Sequence, residues 1–347
     1  MADREHVEKP ALHGSSNIDE VTGVSSVSQA DVIEERATAR ATQFEADAKA
    51  TPRPLSPWAD TWRRLKKNKL ALVGLGIIVV FIVVGLIQVI AYPLTDGRGL
   101  VPYDPNAVDY ALTPGGQGSP PSAAHPFGAD YLGRDILSRV LVATRISLLV
   151  GVIAVAIAVI IGLVAGPVSG YYGGAVDSVI MRLADVFFAY PYILFVLLIM
   201  TVLGPGFVNV FLAIGILGWA TFARLVRGQV LSVKAMEYVE AARAQGASDL
   251  RIIFRHVLPN SMAPVYVAMA MAVGGAIVTE AALSFLGIGV QPPNASWGKM
   301  ISDYLTYLWA GSWWMVTFPS LALVLTVFGF ISFGNGLRDA TDPKLKE

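Results

Sequence analysis

The sequence predicts an all-α, polytopic membrane protein with six transmembrane helices, and three observations support this fold class. First, 54% of the 347 residues are hydrophobic and only 15% are charged, and the mean hydropathy is +0.57, values that are typical of membrane proteins. Second, apolar segments of membrane-spanning length recur along the chain. Third, lysine and arginine residues are concentrated on one side of those segments.

The N-terminal segment, residues 1–57, is predicted to be a disordered cytoplasmic tail that precedes a transmembrane domain at 58–347. Residues 1–52 contain ten acidic and five basic side chains, and such a composition does not bury a hydrophobic core. The first apolar stretch begins near Leu70 and is too long for the apolar region of a signal peptide. We therefore expect that stretch to remain as the first span.

Six spans are predicted, and they are 70–92, 146–168, 186–203, 207–223, 263–285 and 313–334. The third and fourth spans are joined by only Gly204-Pro205-Gly206, which is typical of a tight turn. Pro191 and Pro319 lie inside spans and predict kinks, because neighbouring helices can satisfy the carbonyl groups that a proline leaves free.

The distribution of basic residues predicts the orientation. If the spans alternate in direction, 16 of the Lys and Arg residues that follow position 52 lie on the side of the termini and five lie on the opposite side. Cytoplasmic loops carry the excess of these residues, so we predict a cell-membrane protein with both termini in the cytoplasm. The loop 93–145 is then extracytoplasmic, and the loop 224–262 is cytoplasmic.

The cytoplasmic loop contains a segment, 238–260, with the pattern of two helices separated by a bend. Its first half is rich in Ala, Glu, Arg and Gln, which favour a helix, and Gly246 then permits a sharp break. Ser248 is the predicted N-cap of the second helix, and Pro259 is predicted to end it. One apolar stripe has helical spacing, formed by Leu250, Ile253, Phe254 and Val257. This periodicity alone is equally typical of an amphipathic helix on a membrane surface.

The residue pattern of this loop is more specific than its periodicity. It has Glu-Ala-Ala at 240–242, a glycine after three further residues, and Leu-Pro at 258–259, which resembles the EAA signature of the membrane subunits of ATP-binding-cassette importers. The ending FRHVLPN resembles the dipeptide, oligopeptide and nickel branch of that family. The resemblance implies a type I importer permease whose loop forms a coupling helix that docks on an ATPase. The residues so implied in coupling are Glu240, Ala241, Ala242, Gly246, Asp249, Leu250, Ile253, Phe254, His256 and Pro259.

The end of the extracytoplasmic loop resembles the same family. The sequence HPFGADYLGRDILSRVLVATRISLLVG, from His125 onwards, is similar to the family's segment that leads into the second span. Two interpretations stay open, since these residues either cap and orient the helix that enters the membrane or contact an extracytoplasmic substrate-binding protein. The candidate contact residues are His125, Phe127, Asp130, Arg134 and Asp135.

One carboxylate, Glu280, lies well inside an apolar span. Burial of a charged carboxylate there is unfavourable unless the group is paired, protonated or facing water. Two roles are therefore considered, which are structural pairing within the helix bundle and a position in the transport pathway or its gate.

Several activities are excluded because their residue patterns are missing. No P-loop occurs, and the only Gly-Lys pair, Gly298-Lys299, is followed by Met300. The four histidines lack metal-ligand spacing and the chain has no cysteine, so we predict no metal and no cofactor in this chain. The net charge is zero, which gives no indication of a nucleic-acid partner.

The resemblance as a whole implies the C-type permease subunit of an importer for dipeptides or oligopeptides, without enzymatic activity of its own. The implied partners are a B-type permease, two cytoplasmic ATPases that bind ATP and Mg²⁺, and an extracytoplasmic binding protein. A permease for nickel or another small cargo of the same branch fits the same patterns. From other classes, the alternatives are a proton-coupled secondary transporter that uses Glu280 and a structural membrane scaffold.

Overall fold

The computed structural model describes residues 36, 38–40, 42 and 57–342. Residues 36, 38–40 and 42 are helical and exposed, and the rest of the predicted tail before Pro57 lies outside the described residues. A compact unit begins at Pro57 and consists of helices joined by turns and loops. The predicted all-α fold class is confirmed.

The helices of residues 57–342 are numbered in chain order. They are α1 Pro57–Leu65, α2 Lys69–Leu94, α3 Ile136–Tyr172, α4 Gly174–Ala189, α5 Tyr192–Leu203, α6 Phe207–Val233, α7 Glu237–Ala244, α8 249–260, α9 Ala263–Phe285, α10 Trp297–Leu308 and α11 Trp313–Thr341. Two short 3₁₀ turns, Tyr110–Leu112 and Pro114–Gly116, lie in the long loop between α2 and α3.

Membrane-spanning length is reached by α2, α3, α6, α9 and α11. Helices α4 and α5 pass the same test only as a pair, and the pair is bent by 93° at its break. The described residues therefore contain five spanning helices, or six if the bent pair counts as one span. The predicted number of six corresponds to that second case.

Helix ends differ from the predicted span ends, because caps and packing set them rather than the bilayer alone. Helix α9 has the predicted bounds of 263–285. Helix α3 begins at Ile136, well before the predicted position 146, because the Asp135 side chain caps it. Helix α6 continues to Val233, so the first part of the predicted loop 224–262 is helical.

The third predicted span, 186–203, is not one kinked helix. Tyr190 has an extended backbone with φ −107° and ψ 146°, because the ring of the following proline disfavours the helical conformation at this position. Pro191 has ψ 123°, so α4 ends at Ala189 and α5 begins afresh. Pro319, in contrast, lies buried inside α11.

The core of the bundle depends on close contact between α3 and α6. At Gly162 an added Cβ would lie 2.5 Å from the Cβ of Phe222, and at Gly166 it would lie 2.8 Å from the carbonyl oxygen of Ala223. Small residues allow helix backbones to approach in this way inside membranes. The pair forms a rigid support for the loop that follows α6.

Helix α10 was not expected from the sequence, which predicted only a loop between the last two spans. It is amphipathic and begins at Trp297, and its N-cap is Ser296, whose hydroxyl accepts the Lys299 amide at 3.2 Å. Its buried side includes Trp297 and Tyr304. The helix is bonded to the long loop between α2 and α3, since the Tyr304 hydroxyl donates to Asp130 at 2.9 Å.

Candidate functional site

The bend predicted at Gly246 is present and has the geometry of a Schellman motif. Gly246 has φ +80°, and its amide donates to the Arg243 carbonyl at 2.9 Å, while the Ala247 amide donates to the Ala242 carbonyl at 3.1 Å. These two bonds satisfy the last carbonyls of α7. No atom lies within 4 Å of the position that a Cβ would take, so glycine is required here by backbone conformation and not by space.

Helix α8 follows the bend in three consecutive pieces, Asp249–Ile252, a π turn at Ile253–Val257, and Leu258–Asn260. The Leu258 amide donates to the Ile253 carbonyl, which is the wide bond of a π turn. Pro259 follows directly after this wide turn, and proline has no amide hydrogen with which to continue the helical bonding. The helix stops one residue after it, close to the predicted end.

The predicted N-cap bond of Ser248 is absent, although its backbone is extended as an N-cap requires. The acid beside it has another partner, since the Tyr171 hydroxyl donates to Asp249 Oδ1 at 2.8 Å. The Arg243 guanidinium in turn donates to the Tyr171 hydroxyl at 3.4 Å. The start of α8 is thus held by a side chain at the end of α3.

The prediction of one apolar stripe on α8 was wrong. Ile253 and Val257 are 3% and 0% exposed, whereas Leu250 and Phe254 are 63% and 61% exposed. The physical reason is the π turn, which holds more residues per turn than an α-helix and rotates the side chains away from a single face. The buried face includes Ile252 instead.

The buried face of α8 belongs to the same hydrophobic core as the spans. Val239 of α7 and Ile252 and Val257 of α8 join this core, with Tyr171 and Ala247 packed against it. Lys234 Nζ adds a bond to the Gly170 carbonyl at 2.7 Å. The segment 237–260, called the coupling loop from here on after the role that the resemblance implies, is thus bonded to the end of α3 through Tyr171 and shares the core of the spans.

The exposed face of the coupling loop contains most of the residues that the resemblance implied. Ala242 and His256 are half-buried and Ile253 is buried. The exposed members of the predicted set are Glu240, Ala241, Gly246, Asp249, Leu250, Phe254 and Pro259. Neighbouring large apolar side chains that face solvent on a rigid support are typical of a protein contact.

The segment 125–139 forms a cap on α3. Asp135 Oδ2 accepts both the amide and the hydroxyl of Ser138 at 2.7 Å, and its Oδ1 lies 2.9 Å from His125 Nδ1. An isolated β-bridge between Ala129 and Asp135 closes the turn. The Phe127 ring stacks on Phe318 at 4.0 Å between centroids.

Asp130 is the centre of this cap and is fully buried. Its oxygens accept the amides of Leu132 and Arg134 at 2.9 and 3.0 Å, the Arg134 Nε at 2.7 Å, and the Tyr304 hydroxyl at 2.9 Å. Burial raises the pKa of the Tyr304 phenol. Burial tends to lower the pKa of Arg134, but Tyr304 and Asp130 raise it above its ordinary value overall.

Little of this cap is exposed, because the His125, Arg134 and Asp135 side chains are all largely buried. The geometry therefore favours the interpretation that these residues orient α3. A contact with a binding protein at these same side chains remains a prediction.

Glu280 lies in a network of hydroxyl groups and not on a water-filled surface. The Ser284 hydroxyl donates to its Oε1 at 2.6 Å, and the Ser147 hydroxyl lies 3.5 Å from its Oε2. Ser147 also accepts the Trp297 amide at 3.2 Å. The carboxylate is fully buried and connects α9 to α3 and α10, which favours structural pairing over a gate.

A cavity of about 280 Å³ lies between α3, α5, α6 and α9. Hydroxyl groups of Tyr192, Thr221 and Thr279 line it together with alanine and glycine residues. Thr279 precedes Glu280 in the chain, yet Glu280 is not among the lining residues. Sequence reasoning missed this surface, because threonine among small residues in a span carries no charge signal.

Fold and site together define an α-helical membrane protein with a helical loop that is bonded to the end of one span. The family described as "Binding-protein-dependent transport system inner membrane component" matches residues 158–347, and "N-terminal TM domain of oligopeptide transport permease C" matches residues 56–121. The chain belongs to this family of transport permeases, which confirms the predicted resemblance.

Relatives of similar length support this assignment. The dipeptide transport system permease protein DppC of Bacillus subtilis (strain 168) is 45% identical over 302 residues, covering 87% of this chain and 90% of that protein. The glutathione transport system permease protein GsiD of Pectobacterium atrosepticum is 43% identical over 292 residues, covering 84% and 92%. Among solved structures, a chain of the inward-facing MetNI methionine ABC transporter aligns with a TM-score of 0.48 and 18% identity, over 60% of this chain and 97% of that chain.

Proposed function

We propose that this chain forms half of the translocation pathway of an ATP-driven importer for dipeptides or short oligopeptides. The 45% identity to a dipeptide permease over most of both chains supports the cargo class. The observation that supports the mechanism is the coupling loop, which is attached to the bundle on one face and exposes Leu250 and Phe254 on the other.

The attachment gives the loop a mechanical role. A force applied at the exposed face reaches α3 through the Asp249–Tyr171–Arg243 bonds and through the shared hydrophobic core. Close-packed cores move as rigid units and do not absorb such displacements. Closure of a docked ATPase would then tilt α3 and α6 and change which side of the pathway is open.

The partners follow from this role. A related B-type permease would supply the other half of the pathway, two ATPases would bind ATP and Mg²⁺ and hydrolyse the ATP, and an extracytoplasmic binding protein would deliver cargo. The 16-to-5 distribution of the basic residues that follow position 52 supports termini and coupling loop on the cytoplasmic side of the cell membrane.

Nickel or another small cargo of the same branch remains the alternative within this mechanism. Proton-coupled transport by this chain alone has less support, because Glu280 is bonded within a buried network. A membrane scaffold without transport is distinguished by uptake in cells that lack the chain.

The test is uptake by proteoliposomes that contain the complete transporter and its binding protein. We expect uptake of a labelled dipeptide only with internal ATP, and none when this chain is omitted. Competition with unlabelled glutathione and with nickel ions separates the cargo classes. Uptake by this chain alone, without ATPases, would overturn the proposal.

A further inference from the structure

A patch of exposed cations lies where α1 turns into α2. Its members are Arg63, Lys66, Lys67 and Lys69, called the basic patch here, and all four are exposed. Arg64, between them in sequence, instead pairs with Asp60 at 3.0 Å. Within residues 57–342 no carboxylate forms an ion pair with a member of the patch. Like charges this close repel one another, so a counter-charge is favoured at this surface.

The basic patch borders an apolar, exposed surface. Trp62 is 46% exposed, and Lys66 Nζ lies 5.4 Å from the centre of its ring. Leu70 and Val73, in the first turns of the spanning helix α2, are exposed as well. The cations therefore lie at the level where the apolar wall of a span begins, which is the level of lipid headgroups.

The opposite side of α1 is fixed to the bundle. Leu65 is buried and forms a small core with Ala71 and Ala340, against which Phe333 packs. Asn68 accepts the Ala71 amide at 3.1 Å and donates to Asp339 at 3.5 Å. The basic patch consequently has a fixed orientation relative to the ends of α2 and α11.

We infer that the basic patch, together with Trp62, binds the headgroups of anionic phospholipids. The four cations attract the negative charge of the headgroups. The exposed indole lies beside an exposed apolar helix, a position that favours its insertion at the bilayer surface. The acidic segment 1–52 of this chain also has matching charge, so it is the competing occupant, and the deletion variant described below tests it. A phospholipid has both a charged headgroup for the cations and apolar chains for the exposed Trp62 and Leu70.

The experiment uses the complete transporter in nanodiscs of phosphatidylcholine mixed with phosphatidylglycerol. Lipids that remain bound after transfer to detergent are counted by mass spectrometry. We expect phosphatidylglycerol to be enriched over its bulk fraction, by roughly fivefold for each engaged cation at low salt and less at high salt. Glutamine at all four positions should abolish the enrichment. The charge-conserving variant Lys66→Arg, Lys67→Arg, Lys69→Arg is the matched control and should keep it.

Removal of four cations could also change how the first span inserts. The pair Trp62→Ala and Lys66→Gln leaves the other bases in place and should still lower the enrichment by roughly fivefold.

Equal enrichment in the wild type and the glutamine variant would overturn the inference. So would displacement of phosphatidylglycerol by inorganic phosphate but not by chloride at equal ionic strength, since that indicates a soluble-anion site. A rise in enrichment after deletion of residues 2–50 would identify the acidic segment as the occupant instead.

Discussion

Two segments of this chain resemble the same transporter family, yet they differ in where their side chains find partners. In the α3 cap, Asp130 and Asp135 are bonded within the chain and buried. In the coupling loop, the buried face is packed on the bundle, but Leu250 and Phe254 face outward. One of the two segments thus makes its contacts within the chain, whereas the other leaves two large apolar side chains exposed, which is typical of a protein contact.

The largest effect is expected from Asp130→Ala in the cap. The change leaves the buried Arg134 and Tyr304 groups without their shared acceptor, and breaking a buried pair in this way costs about 3–5 kcal/mol. We expect a marked fall of Tm for the purified complex, measured by thermal unfolding in detergent.

The matched control for that variant is Asp109→Ala. Asp109 is an exposed acid of the same loop that accepts only the Ala111 amide, at 2.9 Å, so its loss should cost about 1 kcal/mol or less. Similar Tm values for both variants would mean that the buried cap does not stabilise the fold.

The next largest effect concerns Gly246→Val in the coupling loop. A side chain at φ +80° costs about 1–2 kcal/mol or more for a β-branched residue, so α8 should be misdirected while the spans stay intact. We expect normal membrane insertion but weak ATPase binding or uncoupled hydrolysis, measured as ATPase stoichiometry and substrate-stimulated turnover.

The control for this backbone argument is Gly228→Val. Gly228 also has open space at the position that a Cβ would take, but it lies within α6 at ordinary helical φ. That variant should couple normally. Equal loss of coupling in both variants would show that bulk, and not backbone conformation, matters at Gly246.

The smallest effect is expected from Glu280→Gln. The amide oxygen can still accept the Ser284 hydroxyl, and the unfavourable burial of charge is removed, so assembly should be unchanged. If Glu280 is structural, uptake should also be normal at every pH, measured in proteoliposomes from acid to neutral medium. Normal assembly with lost uptake would instead place this residue in the transport pathway.

The sequence alone predicted features that depend on local chemistry. The fold class, the bounds of α9 and the bend at Gly246 follow from apolar length and backbone preference. It did not predict the π turn in α8, because local helix propensity does not distinguish a π turn from an α-helix. It also gave no signal that Tyr304, far along the chain, would complete the Asp130 network.

The predicted N-cap bond at Ser248 and the predicted kink at Pro191 also differ from the structure, and both differences arise from tertiary contacts. Ser248 has the residue type and backbone of an N-cap, but the neighbouring Asp249 is held by Tyr171 from another helix. Pro191 was expected to kink one span, and it separates two helices by 93°. Both outcomes depend on tertiary neighbours that local propensity does not contain.

The most direct test of the coupling loop is the double variant Leu250→Ala, Phe254→Ala in the complete transporter. Both side chains are largely exposed, so removing them should change the free energy of unfolding by less than about 1 kcal/mol and leave Tm nearly unchanged. The matched control is Leu86→Ala, Val83→Ala on the exposed face of α2, which should retain its ATPases. We predict that the loop variant co-purifies with far less ATPase than the control at unchanged Tm. Full ATPase stoichiometry and normal stimulated turnover in the loop variant would contradict the account.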